Sequence, residues 1–169
     1  MRFITVFLFL LSLIVVQGCM KPIANKQPAW MQFDSQKKTV KFDLVSGDDG
    51  RNNGFNYNGY YAGNVTLKVP DGWNVEVMLT NRDGSAPHNI IVTYPYLKQK
   101  IPEYVGSEAA VLRRAYTEDA FVGQQESMRF VAKTGEYWFF CGISGHGIND
   151  MWINFEVNPS LISPEVETK

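Results

Sequence analysis

From about residue 38 onward the chain repeats one pattern: short runs of alternating apolar and polar residues, each ended by Gly, Pro or Asn. Val40, Phe42 and Leu44 alternate with Lys41 and Asp43. Val65, Leu67 and Val69 alternate up to the Pro70-Asp71-Gly72 turn, and Trp73, Val75, Val77 and Leu79 alternate up to Asn81. A period of two puts one set of side chains on a buried face and the other in water, so each run predicts a strand. The 65–69 and 73–79 runs are expected to pair or to lie close together. Phe55-Asn56-Tyr57-Asn58-Gly59 is a further alternating run, following a turn-rich stretch over 46–54. Residues 81–87 form a loop that delivers His88 to the start of a β-branched strand ending at Tyr94-Pro95. Gln125 to Val131, Tyr137 to Cys141 and Met151 to Val157 complete the strands, with Lys133-Thr134-Gly135 as a turn. Between Tyr96 and Gly123 the pattern loosens. There Glu108 to Tyr116 predicts a helix that Ser107 would cap, with Arg113 and Arg114 on a solvated face. Many short strands with one short helical insertion predict an all-β, antiparallel Greek-key sandwich or barrel over residues 38–159.

The N-terminus follows a different rule. After Met1-Arg2 comes an unbroken, mostly apolar run from Phe3 to Val16. As a helix it would reach roughly 21 Å, short of a bilayer's hydrocarbon core, so it reads as an export signal over residues 1–18. Val16-Gln17-Gly18-Cys19 resembles the lipobox of bacterial lipoproteins. That resemblance implies acylation of Cys19 and an exported, membrane-anchored protein facing the periplasm or the cell exterior. Residues 19–37, with Pro22, Pro28, Lys and Asn, predict a tether, and 160–169 a C-terminal tail.

Composition narrows the choice of partner and chemistry. The 169 residues carry 16 Lys+Arg against 17 Asp+Glu, for a net charge of −1, with no block of like charge. Nucleic acid is therefore not an expected partner. Two Cys and two His exclude a disulfide framework or a multi-zinc module. Three of these four residues, with one Met, sit where a single ion would need them. Cys141-x4-His146-x4-Met151 lies on a loop with Gly142, Gly145 and Gly147 between two strands, and His88 is the only other histidine. Thiolate and thioether suit Cu(I), imidazole suits both copper states, and a rigid site between the two preferences reorganises little on one-electron exchange. Phe139, Phe140 and Trp152 would keep water from the sulfur.

Taken singly, these residues have plainer readings: Cys141 as a small core residue, Met151 as packing beside Ile153 and Phe155, His88 as a loop histidine. Other chemistries account for the set less well. A Cys141 nucleophile with His146 as base leaves His88 and Met151 without roles. Structural zinc rarely uses Met, and a dinuclear copper centre needs a second Cys in the loop. Multicopper enzymes usually carry a His beside the copper Cys, where this chain has Phe140.

On these residues, with Pro87-His88-Asn89 and Phe55-Asn56-Tyr57-Asn58-Gly59, the chain resembles the cupredoxins, the type 1 blue copper proteins, and most of all their sulfocyanin and rusticyanin branch. The resemblance implies one copper ion held by His88, Cys141 and His146 with Met151 as axial ligand. It implies that Asn89 ties the ligand strand to the backbone beside Cys141. It further implies single-electron carriage rather than enzymatic turnover, with Gly147 and Ile148 in a docking patch for redox proteins of cytochrome or terminal-oxidase type. A copper carrier or chaperone on the same fold is the alternative. Two residues depart from the branch: Ser144 stands where Pro is usual, and Asp150 precedes Met151 where a small or neutral residue is commoner. A carboxylate that close favours the more positive Cu(II) and is expected to lower the reduction potential.

Overall fold

Val40, Phe42 and Leu44 share one buried face of a strand spanning Thr39–Ser46, and that face decides where the chain goes. The computed structural model describes residues 27–169. Its strands are β1 (Met31–Asp34), β2 (Thr39–Ser46), β3 (Val65–Val69), β4 (Asn74–Asn81), β5 (Ile91–Thr93), β6 (Gln125–Val131), β7 (Gly135–Phe140), β8 (Trp152–Val157) and β9 (Glu165–Thr168). They form two sheets, ordered β1-β2-β4-β6 and β5-β7-β8-β3-β9. Phe42 from the first sheet meets Phe139 from the second edge-on at 6.5 Å, and Phe130 meets Phe155 at 5.7 Å. The inner faces of both sheets form one apolar cluster, which also contains Cys141 and Met151.

The expected all-β sandwich is present, but its pairing is mixed rather than purely antiparallel: β2 runs parallel to β4, and β3 parallel to β8. The 65–69 and 73–79 runs do not pair. The Pro70–Gly72 turn carries the chain from one sheet to the other, so the two runs pack from opposite sides of the core. Alternation reports which face is buried and not which strand is the neighbour.

Three segments differ from their sequence reading. Part of the expected tether is structure, because Trp30 packs against Phe42 and Tyr60, Met31 is buried, and β1 pairs with β2. The expected tail contains β9, which pairs with β3 and adds Val166 to the core margin. The two sheets therefore extend beyond 38–159 at both ends. The helix over Glu108–Tyr116 is a single 3-10 turn, Ser107–Ala109, capped by no side chain. Beyond it the backbone is extended at Ala110, and Val111, Ala115 and Thr117 bond to Val92 and Ile90, stitching this segment along β5. Sheet bonding won over helix propensity there.

The chain between Tyr96 and Tyr116 covers part of the outer face of the second sheet. Ile91, Val105, Trp138 and Phe140 form a smaller cluster beneath Tyr96, Ile101, Tyr116 and Trp152, and the indoles of Trp138 and Trp152 stack at 3.8 Å. Hence Tyr137-Trp138-Phe139-Phe140 is buried on both faces and shows no alternation. Residues 1–26, including the signal segment and Cys19, lie outside the described residues. Among the described residues, no helix is long and apolar enough to cross a membrane.

Phe139 touches both Phe42 and Phe155 at the centre of the sandwich. Phe139→Ala is expected to lower the unfolding free energy by about 3–5 kcal/mol, measured by guanidinium denaturation of the metal-free protein. A loss below about 1 kcal/mol would mean the two sheets are not clamped at this ring.

Candidate metal centre

β7 ends at Phe140, and just beyond it Gly142 passes directly beneath the Val105 carbonyl, where any side chain would collide. The loop closes on its own backbone: Cys141 N–H donates to Met151 O at 3.0 Å, Met151 N–H to His146 O at 3.1 Å, and His146 N–H to Ile143 O at 3.0 Å. Gly147 lies against the Phe140 ring, again with no room for a Cβ. His88 comes from the other side of the site. Its amide donates to Ala120 O at 3.0 Å and its carbonyl accepts Ala120 N–H at 2.8 Å, a bridge that fixes the loop just before β5.

These anchors bring three lone-pair atoms face to face. Cys141 Sγ is 3.4 Å from His146 Nδ1 and 3.9 Å from His88 Nδ1, and the two Nδ1 atoms are 3.2 Å apart. All three residues are buried. A point equidistant from these atoms lies roughly 2.0 Å from each, within the range of about 2.0–2.3 Å that imidazole and thiolate ligands keep from a metal. The donor set and spacing therefore fit one small, borderline-soft cation. Met151 is fully buried at the far end of the loop, its backbone bonded to both Cys141 and His146.

The surrounding shell orients the donors. Asn89 Oδ1 accepts Gly142 N–H at 2.7 Å, joining the His88 segment to the residue after Cys141, while Asn89 Nδ2 donates to Asp119 Oδ1 at 2.8 Å. The fully buried Tyr57 donates its hydroxyl to Asn89 O at 2.5 Å. Phe55 lies on the His146 ring, with centroids 4.8 Å apart. Asn52 reaches across to Asn149 O at 2.8 Å. Thus 55–59 is not a strand: it is a buttress whose turns are held by Asn56 and Asn58. Sequence reasoning singled out this stretch by resemblance and assigned no residue in it a task. It read Asp83 and Asp119 only as loop and insertion residues, since their partners lie five and thirty positions away.

Burial sets the proton chemistry. It pushes the Cys141 thiol up to about 11, against the opposing pull of the Asn89 and Ile143 amides and the Tyr57 hydroxyl. The metal-free sulfur is therefore a thiol at neutral pH, and binding a cation must expel its proton. Burial, reinforced by the nearby His88, lowers His146 to about 4. Burial also lowers His88, although Asp83 opposes this. Both imidazoles are neutral and ready to ligate at neutral pH.

Of the two expected docking residues, Gly147 is buried under the loop against Phe140, so only Ile148, 51% exposed, offers surface. Ser144 donates to Glu103 at 3.2 Å, and Gly145 N–H to Glu103 O at 2.8 Å. Through these two bonds the loop is tied to a neighbouring segment. Asp150 holds a left-handed turn at φ 66°.

Comparison with known proteins gives the family and the fold. The sulfocyanin (SoxE) domain family matches residues 27–167. The sulfocyanin of Sulfolobus acidocaldarius is 24% identical over 140 residues, 78% of this chain and 70% of that protein. Among solved structures, auracyanin from Roseiflexus castenholzii superposes with a TM-score of 0.52 at 20% identity, covering 70% of this chain and 97% of that one. The copper protein rusticyanin superposes with a TM-score of 0.53 at 18% identity, covering 76% and 87%. These two likenesses give the fold.

The neutral histidines make the metal-free protein acid-sensitive. His146 takes its proton near 6.5 when unfolded and near 4 when folded, so the unfolded chain holds the extra proton between those values. Stability is expected to fall as pH drops from about 6.5 to 4. A further fall comes between 3.8 and about 2, as Asp83 is protonated. Urea midpoints across this range check it; a flat profile between pH 7 and 4 would show that His146 is not desolvated.

Proposed function

Because the chain belongs to the sulfocyanin family of type 1 copper electron-transfer proteins, we propose that it carries single electrons between redox proteins on the outer side of a membrane. The observation that carries this reading is the buried triangle of His88 Nδ1, Cys141 Sγ and His146 Nδ1, sized for one metal ion. His88, Cys141 and His146 would hold copper, with the Met151 thioether as the weak axial ligand. Copper supplies the one-electron Cu(II)/Cu(I) couple.

The protein supplies rigidity. Cys141 is bonded through its amide to Met151, His88 through its backbone to Ala120, and Asn89 bridges the two halves. Donors held this way do not move when the charge changes, so the reorganisation barrier stays small. Phe55 over His146 and the apolar sandwich below exclude water from the sulfur.

Electrons would pass through the His146 edge, 7% exposed and flanked by exposed Ile148. Tyr104, next to the Glu103 that holds Gly145, and Phe121, next to the Ala120 that holds His88, are also exposed and would extend this apolar rim. A rim of this kind suits a small, transient contact with a cytochrome or terminal oxidase. Acylation of Cys19 would tether the domain near such membrane partners.

Copper(II) added to the protein is expected to give intense sulfur-to-copper charge-transfer colour and a type 1 electron paramagnetic resonance spectrum, both abolished in Cys141→Ser. Colourless wild type would refute the site. Met151→Leu is expected to keep copper while raising the reduction potential, read by redox titration; loss of all copper would give Met151 a different role. Copper lost within minutes to a moderate chelator would favour a metal carrier over an electron carrier.

A further inference from the structure

We propose that Asp83 is a positioning residue for the metal centre, locking His88 in the ligating tautomer and biasing the couple toward Cu(II); this rests on the copper electron-transfer reading above. Asp83 Oδ2 lies 2.9 Å from His88 Nε2, on the side of the ring away from Cys141 and His146. A carboxylate only accepts, so Nε2 carries the proton and Nδ1 presents its lone pair to the metal. His88 is fully buried and Asp83 is 12% exposed at its side chain, so water competes weakly for the bond.

The carboxylate is built into the fold. Asp83 Oδ1 accepts Ser85 N–H at 2.9 Å and Ser85 Oγ–H at 2.8 Å. Its own amide donates to Asn81 Oδ1 at 2.8 Å, and Asn81 in turn donates to Ala86 O and Ala120 O, both at 2.8 Å. The same Ala120 carries the His88 backbone bridge, so one set of bonds sets both ends of the Asp83–His88 contact. Gly47 passes so close that a Cβ there would come within 2.7 Å of the Asp83 Cβ.

The consequence is electrostatic. A negative charge hydrogen-bonded to a ligand ring makes that ring more basic and stabilises the state of higher metal charge. The carboxylate bonded directly to a ligand ring is Asp83, which acts in addition to whatever charge Asp150 brings to the loop.

Asp83→Asn keeps the shape and removes the charge; Asp83→Ala removes both. Copper(II) affinity is expected to fall about 10–100-fold in Asp83→Asn, with copper(I) affinity falling less. The reduction potential then rises by about 59 mV for each tenfold difference between the two. In the metal-free protein, ¹⁵N shifts of His88 should report the Nε2–H tautomer in wild type and a mixture in Asp83→Ala. If wild type shows the type 1 spectrum but Asp83→Asn leaves potential and copper(II) affinity unchanged, the proposal fails while the copper reading stands. A variant that only loses stability, with potential and tautomer intact, also overturns it. If wild type gives no type 1 spectrum, the copper reading fails first, and the tautomer measurement alone then decides the Asp83–His88 bond.

Discussion

Three lone pairs are made to face one another in a buried pocket, and the surrounding fold holds them there. Cys141 Sγ, His88 Nδ1 and His146 Nδ1 lie 3.2–3.9 Å apart, a spacing that repays none of them with a strong hydrogen bond. Left free, each side chain would turn toward water or a backbone donor. Here each is prevented by bonds made elsewhere: Ala120 to the His88 backbone, Asn89 across to Gly142, and Met151 to Cys141. A cation satisfies all three donors at once, so its binding energy becomes folding energy for the loop.

The sandwich explains how such a site stays rigid at the edge of a small domain. β7, buried on both faces, delivers Cys141 from an interior strand of the second sheet rather than from its edge. The inner face is clamped by Phe42, Phe139 and Phe155, and the outer face by Trp138, Trp152 and Tyr96. The ligand loop is therefore short, with both ends seated in packed strands, and its glycines serve close approach as much as turning. Electrostatics then act on a fixed frame: burial keeps both imidazoles neutral and the thiol protonated until metal arrives.

Much of this was legible in the sequence. Period-two runs located β2, β3, β4, β6 and β8, since a half-buried strand must alternate. Cys141, His146, Met151 and His88 stood out because the chain has so few residues able to ligate a soft metal. What stayed hidden depended on pairing across long separations. Tyr57 reaches Asn89, Asn89 reaches Gly142, and Asp119 reaches Asn89, and no local pattern encodes such contacts. The false helix at 108–116 arose because Ala, Leu and Arg favour helices, whereas the actual partner of that segment is β5. Trp30 and Val166 were overlooked as core because single apolar residues in polar stretches carry no period.

X-ray absorption at the copper edge of the loaded protein tests the central claim most directly. The account predicts one sulfur scatterer at a short thiolate distance and two nitrogens at about 2.0 Å, with little change in bond lengths on reduction. A shell of oxygen or nitrogen ligands without the short sulfur, or a coordination number that changes between oxidised and reduced forms, would contradict it.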